Sequence, residues 1–223
     1  MNPFESCLLV VPGREQSNDP NKPNEFMFPA FLKLAGRRVV LVGGGRVAAG
    51  KLEALLAAGA DVTVVAPDVV EEIAQRGGIT IQRRPFDPSD LNEAWWVVAA
   101  APSAVNRRVL AAAEARRIFV NAVDDPQHAT AYAGGVVRRE GVTIAISTDG
   151  RAPALAGLLR EALDAWLPRD LARWVSAADE ARRSWKEQGV PMEHRRPLLL
   201  ETLNRLYETK SQIPNPKSQA PLG

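Results

Sequence analysis

Residues 37–68 read RRVVLVGGGRVAAGKLEALLAAGADVTVVAPD, and no other stretch constrains the fold as tightly. An apolar run at residues 39–42 stops at three consecutive glycines. Val47, Leu52, Leu55 and Leu56 then follow near helical spacing, and a second β-branched run ends at Pro67. A helix that carries the chain from one strand to the next implies parallel pairing, because parallel strands need a long crossover. Gly43-Gly44-Gly45-Arg46-Val47-Ala48 fits G-x-G-x-x-[GA] directly after the strand and at the opening of the helix. In that setting Gly43 permits the tight turn, and Gly45, lacking a Cβ, lets a pyrophosphate approach the backbone. The helix N-terminus then offers N–H donors and partial positive charge. A turn built only for close packing would show the same glycines, and the strand–helix–strand placement favours the dinucleotide. An acid that grips a ribose 2′-hydroxyl normally ends the second strand. Here Asp68 lies one or two residues beyond that place and no arginine replaces it, which favours NAD over NADP.

The alternation continues. A short helix at residues 69–75, a strand ITIQRR, a loop PFDPSD, a strand AWWVVAAA, a helix SAVNRRVLAAAEARR and a strand IFVNAV complete a parallel sheet with helices on its faces. After Asp124 the rhythm changes. GGVVRREGVTIAIST reads as a hairpin turning at Glu140-Gly141. From Ala152 the chain is helical: Leu155, Leu158, Leu159, Ala162, Leu163 and Trp166 share one helix face, and Leu171, Trp174, Val175, Ala178 and Trp185 continue the pattern beyond Pro168. A last helix is expected over residues 196–208. The fold class is therefore α/β: a Rossmann-type parallel sheet domain, then a small, separate α+β element, then a helical C-terminal region. The expected boundaries are a flexible leader at 1–26, an NAD-binding domain at 27–126, the α+β element at 127–165, the helical region at 166–209 and a disordered, proline-rich tail at 210–223.

Composition excludes several classes. With 46% hydrophobic and 24% charged residues among 223, the chain matches ordinary globular proteins. A net charge of +2 and scattered basic pairs (Arg37-Arg38, Arg83-Arg84, Arg138-Arg139) without interleaved aromatics argue against nucleic acid. Cys7 is the only cysteine, so an internal disulfide and a thiolate-cluster metal site are excluded, and a reducing, cytoplasmic setting is expected. No apolar run reaches the ~20 residues of a membrane span. The apolar stretch at residues 7–11 lacks a basic flank and is too short for a signal peptide; Met27 is an alternative start.

Taken together, GGGRVAAGK, GADVTVVAPD, VNRRVLAAAEARRIFVNAVDDP and GVTIAISTDGRAPALAGLLRE resemble the precorrin-2 dehydrogenase / sirohydrochlorin ferrochelatase family of siroheme synthesis, in its stand-alone form. The likeness covers about residues 28–170. It implies NAD-dependent oxidation of the tetrapyrrole precorrin-2 to sirohydrochlorin, in many members followed by insertion of Fe²⁺ as a co-substrate, and a homodimer in which the α+β element at 127–165 is the dimerisation element. The family's dinucleotide contacts fall on Gly43, Gly44, Gly45, Arg46 and Val47 at the turn and on Pro67 and Asp68 after the second strand, and its essential aspartate falls on Asp124, the first acid of NAVDDP. Asp124 emerges at the carboxyl end of a parallel strand, where open α/β sheets bind ligands, and a carboxylate there can take up the proton released on oxidation. The alternative for Asp124 is a turn acid before Pro126, and a structural role is expected for Asp125.

The chain departs from the family in three places. Ala152 stands where a serine would cap the helix opened by Pro153, which costs about 1 kcal/mol. Gly50 replaces a long basic residue before Lys51. QHATAYAGG replaces a more aromatic segment containing a proline. His128 in that segment is either a proton or metal-delivery group or simply solvated. His194 is assigned to a basic linker, and no permanent metal site is expected. Arg138, Arg139 and Arg151 are either carboxylate partners of a tetrapyrrole or solvated. Two other functions fit the glycine turn: a dehydrogenase of another substrate, and a dinucleotide-sensing regulatory dimer.

Overall fold

The computed structural model describes residues 27–148 and 151–211; the leader and residues 212–223 lie outside the described residues. Residues 27–32 belong to a separate unit without regular secondary structure, and from Lys33 onward the chain forms one unit.

Five parallel strands, β1 (Arg38–Val42), β2 (Asp61–Val65), β3 (Ile79–Gln82), β4 (Trp96–Ala99) and β5 (Val120–Ala122), lie in the order β3-β2-β1-β4-β5. Val42 pairs with Val65 and with Ala99, and Ala99 with Ala122, so the carboxyl ends of four strands reach one edge together. The order reverses between β1 and β4, the switch point at which such sheets open a crevice.

Both faces of the sheet are covered, which is why its strands are continuous apolar runs rather than alternating ones. Val39, Leu41, Val62 and Val64 pack with Ala48, Leu52 and Leu55 of α1 (Arg46–Ala57) and with Ile73 of α2 (Glu71–Ala74). Val40, Val42, Val97 and Ala99 pack with Val109, Ala112 and Ala113 of α3 (Ser103–Glu114).

The expected β3 stops early, and Arg83-Arg84 leave the strand. Arg84 pairs instead with Asp90, whose side chain is 3% exposed. A short 3₁₀ turn, Pro88–Leu91, opens on Asp87, which accepts from the Ser89 N–H (2.9 Å) while Asp90 accepts from the Asp87 N–H (2.8 Å). The β4 strand likewise begins one residue after Trp95, whose exposed ring carries the Arg37 guanidinium 3.8 Å above it.

The hairpin forms as expected from β6 (Gly135–Arg139) and β7 (Val142–Ile146), with positive φ at both Glu140 and Gly141, as a two-residue hairpin turn requires. It packs on α4 (Pro153–Trp166), where a Cβ on Gly135 would stand 3.2 Å from the Ala156 carbonyl oxygen. Arg139 clamps this contact. It donates to the Leu167 carbonyl and to Asp164 Oδ1, both at 2.7 Å, so the guanidinium meets the negative end of the helix and is not a solvated or substrate-directed group. The leucines of α4 turn outward in the single chain: Leu158 is 65% and Trp166 69% exposed, while the small Ala156 is buried.

Two more helices follow, α5 (Leu171–Glu187) and α6 (Met192–Ser211). The last helix starts four residues before the expected position, so that Pro197 falls in its second turn rather than next to its start. The His194 N–H bonds the Pro191 carbonyl (3.2 Å), and the Arg195 side chain holds the Val190 carbonyl (2.8 Å), which fixes the helix start. His194 is thus a helical residue rather than part of a linker. Ala152 has no capping side chain, and its N–H is taken by Thr148 Oγ1 at 3.2 Å.

Candidate functional site

The three glycines have three different surroundings. Gly43 has φ +129, and a Cβ there would overlap the Ala100 carbonyl after β4. A Cβ on Gly44 would overlap the Asp68 carbonyl after β2, and the Gly44 carbonyl accepts from the Val70 N–H at 2.8 Å. These two glycines weld the turn to both neighbouring strand ends. Gly45 is different: nothing lies within 4 Å of its Cβ position. It is the N-cap of α1, no side chain caps that end, and no acid stands in the first turn. The first N–H groups of α1 therefore face an open approach, which suits a pyrophosphate. Arg46 and Val47 are exposed beside it, and Pro67 and Asp68 are exposed at the end of β2. All seven expected cofactor residues converge on the carboxyl edge of the sheet.

Asp124 lies on the same edge, past β5, in the left-handed region (φ +55) that few non-glycine residues adopt. Before it, the Val123 N–H continues the ladder to the Ala99 carbonyl (2.8 Å). After it, Asp125 is held by three side chains. Asn106 Nδ2 of α3 donates to Asp125 Oδ2 at 3.1 Å. His128 Nδ1 lies 2.8 Å from Oδ1, and Ser103 Oγ lies 3.4 Å from that same Nδ1. Burial alone would raise the Asp125 carboxyl, but the hydrogen bonds of Asn106, His128 and Ser103, with the imidazole's charge, hold it below the usual aspartate range. Since the carboxylate is ionised it only accepts, so Nδ1 of His128 carries the proton in this pair. His128 is 16% exposed and partnered, which corrects the expectation of a solvated imidazole.

Two cavities meet at Asp124. One, of about 310 Å³, is lined by Lys51, Asn121, Asp124, Tyr132, Ser147 and Thr148, among others. The second, about 520 Å³, is lined by Ala101, Ser103, Asn106 and residues 123–127. The segment QHATAYAGG closes the free edge of β5: Thr130 Oγ1 accepts from the Val120 N–H (2.8 Å), the Thr130 N–H donates to the Val120 carbonyl (2.9 Å), and Asn121 Nδ2 holds the Ala131 carbonyl (3.1 Å). Among the described residues no group of three or more His, Cys, Asp and Glu side chains is placed to hold a metal ion.

Sequence reasoning missed Lys51 and Asn106. Lys51 is a half-buried ammonium on the flank of the apolar face of α1, in the cavity that Asp124 shares. Asn106 is 1% exposed and its Oδ1 accepts from the Ala101 N–H at 3.3 Å. Its signal was a polar residue in register with Val109 and Ala113 on the buried face of α3, since a buried amide is kept only where its hydrogen bonds are met.

Switch-point crevice, glycine turn and uncapped helix define an NAD(P)-binding α/β protein, and the profile of an NAD(P)-binding family matches residues 30–135. A siroheme synthase of Photorhabdus laumondii is 39% identical over 180 residues, 79% of this chain and 38% of that protein. One from Escherichia coli is 40% identical over 172 residues, 75% of this chain and 38% of that protein. The chain thus spans about 38% of the length of these curated relatives. The solved structure of SirC, a precorrin-2 dehydrogenase, superposes with a TM-score of 0.62 at 28% identity, covering 78% of this chain and 88% of that one. The chain is thus similar, over about three quarters of its length, to siroheme synthases and to a precorrin-2 dehydrogenase.

Proposed function

We propose that this chain oxidises precorrin-2 to sirohydrochlorin with NAD as the acceptor, and that Asp124 is its catalytic residue. The observation that carries the proposal is the position of Asp124: left-handed, at the carboxyl edge of the sheet, and common to both cavities. Gly43, Gly44, Gly45, Arg46 and Val47 would hold the dinucleotide at the N-terminus of α1, with Pro67 and Asp68 beside it. Gly45 leaves the open approach that this cofactor needs. When bound, the nicotinamide takes the hydride. The chain's own part is to bind the macrocycle and to receive at the Asp124 carboxylate the proton lost from it, so that substrate plus NAD gives product, NADH and one proton. Lys51, in the cavity with Asp124, suits a substrate rich in carboxylates.

Fe²⁺ enters only as a possible co-substrate of a following chelation. The outward leucines of α4 support a homodimer, since contiguous exposed apolar surface marks association. The division into an NAD-binding part at 27–126, a dimerisation element at 127–165 and a helical part at 166–209 belongs to the same proposal, as does a cytoplasmic location. Among the described residues no helix is long and apolar enough to cross a membrane.

The test is anaerobic incubation of the full chain with enzymatically made precorrin-2 and NAD, then with NADP, and finally with Fe²⁺. NADH appearing together with the sirohydrochlorin spectrum supports the proposal. Dinucleotide binding without NADH overturns it in favour of a sensing dimer or another substrate.

A further inference from the structure

The residue that follows Asp124 is as firmly tied as the strand that precedes it, and the left-handed turn is what joins the two. Val123 is fixed by the β4–β5 ladder, through its N–H on the Ala99 carbonyl at 2.8 Å. Asp125 is fixed from the other side by Asn106 (3.1 Å) and His128 (2.8 Å). Asn106 is itself immobile: it is 1% exposed, rooted on α3, and bound through Oδ1 to the Ala101 N–H beyond β4. Between two fixed points only one residue remains to absorb the change of direction, and a non-glycine residue accepts φ +55 only when its surroundings over-determine it.

We infer that Asn106 and Asp125 are positioning residues that hold Asp124 in its left-handed conformation and so aim its carboxylate where the two cavities meet. This deepens the proposed function and rests on it. The pair works through geometry: Asn106 spans from the β4 loop to Asp125, and the Asp125 carboxylate, 14% exposed, is the joint between α3 and the turn Pro126–His128. Both residues also line the second cavity, so the KM of Asp125→Ala, unchanged for a positioning role, separates positioning from contact with substrate. Release of the joint lets Asp124 relax to negative φ and swing its carboxylate away, and displacements of that size cost about 100-fold in rate.

The experiment compares wild type, Asp125→Ala, Asp125→Asn and Asn106→Ala for NADH formation from precorrin-2, NAD affinity and melting temperature, with a crystal structure of Asp125→Ala. Asp125→Ala is expected to lower kcat about 100-fold with NAD affinity and KM little changed. Asp125→Asn, which keeps an acceptor for Asn106, is expected to restore most of the turnover. A role confined to stability would lower the melting temperature and the folded fraction while leaving kcat per folded site intact. Asn106→Ala is the harsher variant because the site is buried; Asp125→Ala, on a more accessible group, answers the question if Asn106→Ala does not fold. Wild-type turnover matched by Asp125→Ala would overturn the inference alone. Should wild type form no NADH, the proposed function falls, and the crystal structure decides this inference by itself. Residue 124 leaving positive φ in Asp125→Ala upholds it, and residue 124 unmoved overturns it.

Discussion

Gly44 lies directly against Asp68: a Cβ built on Gly44 would overlap the Asp68 carbonyl oxygen, while one built on the next residue, Gly45, would meet nothing within 4 Å. Adjacent glycines therefore serve different ends, one for the fold and one for the ligand.

Gly44→Ala should lower stability by about 1–3 kcal/mol, the usual cost of overpacking, seen as a fall in melting temperature without ligand. Gly45→Val should melt as wild type does, because φ −86 and ψ −175 suit a β-branched residue. Its NAD affinity should fall at least tenfold, about 1.4 kcal/mol, in a fluorescence titration. Tight NAD binding by Gly45→Val would remove the glycine turn as the site.

Asp124→Ala should leave NAD affinity near wild type and reduce NADH formation by about 10²–10⁴-fold, the range for loss of a general base. The anchors at Val123 and Asp125 remain in this variant, and alanine accepts positive φ less readily than aspartate, so circular dichroism and turnover are to be compared on the same sample.

Lys51→Met keeps the length of the side chain and its packing along α1 but removes the charge. With a polycarboxylate substrate, loss of one charge-assisted hydrogen bond of about 1.5–3 kcal/mol should raise KM roughly 10–100-fold, with kcat less affected. Steady-state kinetics at two salt concentrations checks this, since the wild-type advantage should shrink as salt rises.

The lowered pKa of Asp125 sets a sign for acid stability. Its folded value lies below its unfolded one, near 3.9. The carboxylate therefore adds stability that is fully present above that pH and is lost as pH falls through the lower, folded value. Melting temperatures of wild type and Asp125→Asn should differ most at neutral pH and converge below about pH 4.

The sheet was legible because its strands are unbroken β-branched runs, and a strand buried on both faces leaves that signature whatever else the chain does. The hairpin was legible from Glu140-Gly141, since a two-residue turn demands positive φ. What escaped was long-range. Arg83-Arg84 read as strand because nothing local announces that Asp90 will capture Arg84. The start of the last helix read four residues late because the Arg195 anchor on Val190 is invisible to propensity. Asp125 read as a bystander: its partners Ser103 and Asn106 lie about twenty positions away, and only the return of α3 to the sheet edge brings them together.

The outward stripe of α4 has a thermodynamic corollary. In the proposed homodimer a second copy would cover the surface that holds Leu155, Leu158, Leu159 and Trp166 in water, and folding would be linked to association. The midpoint of unfolding should rise with protein concentration, so a melting temperature for this chain is complete only when the concentration is stated with it.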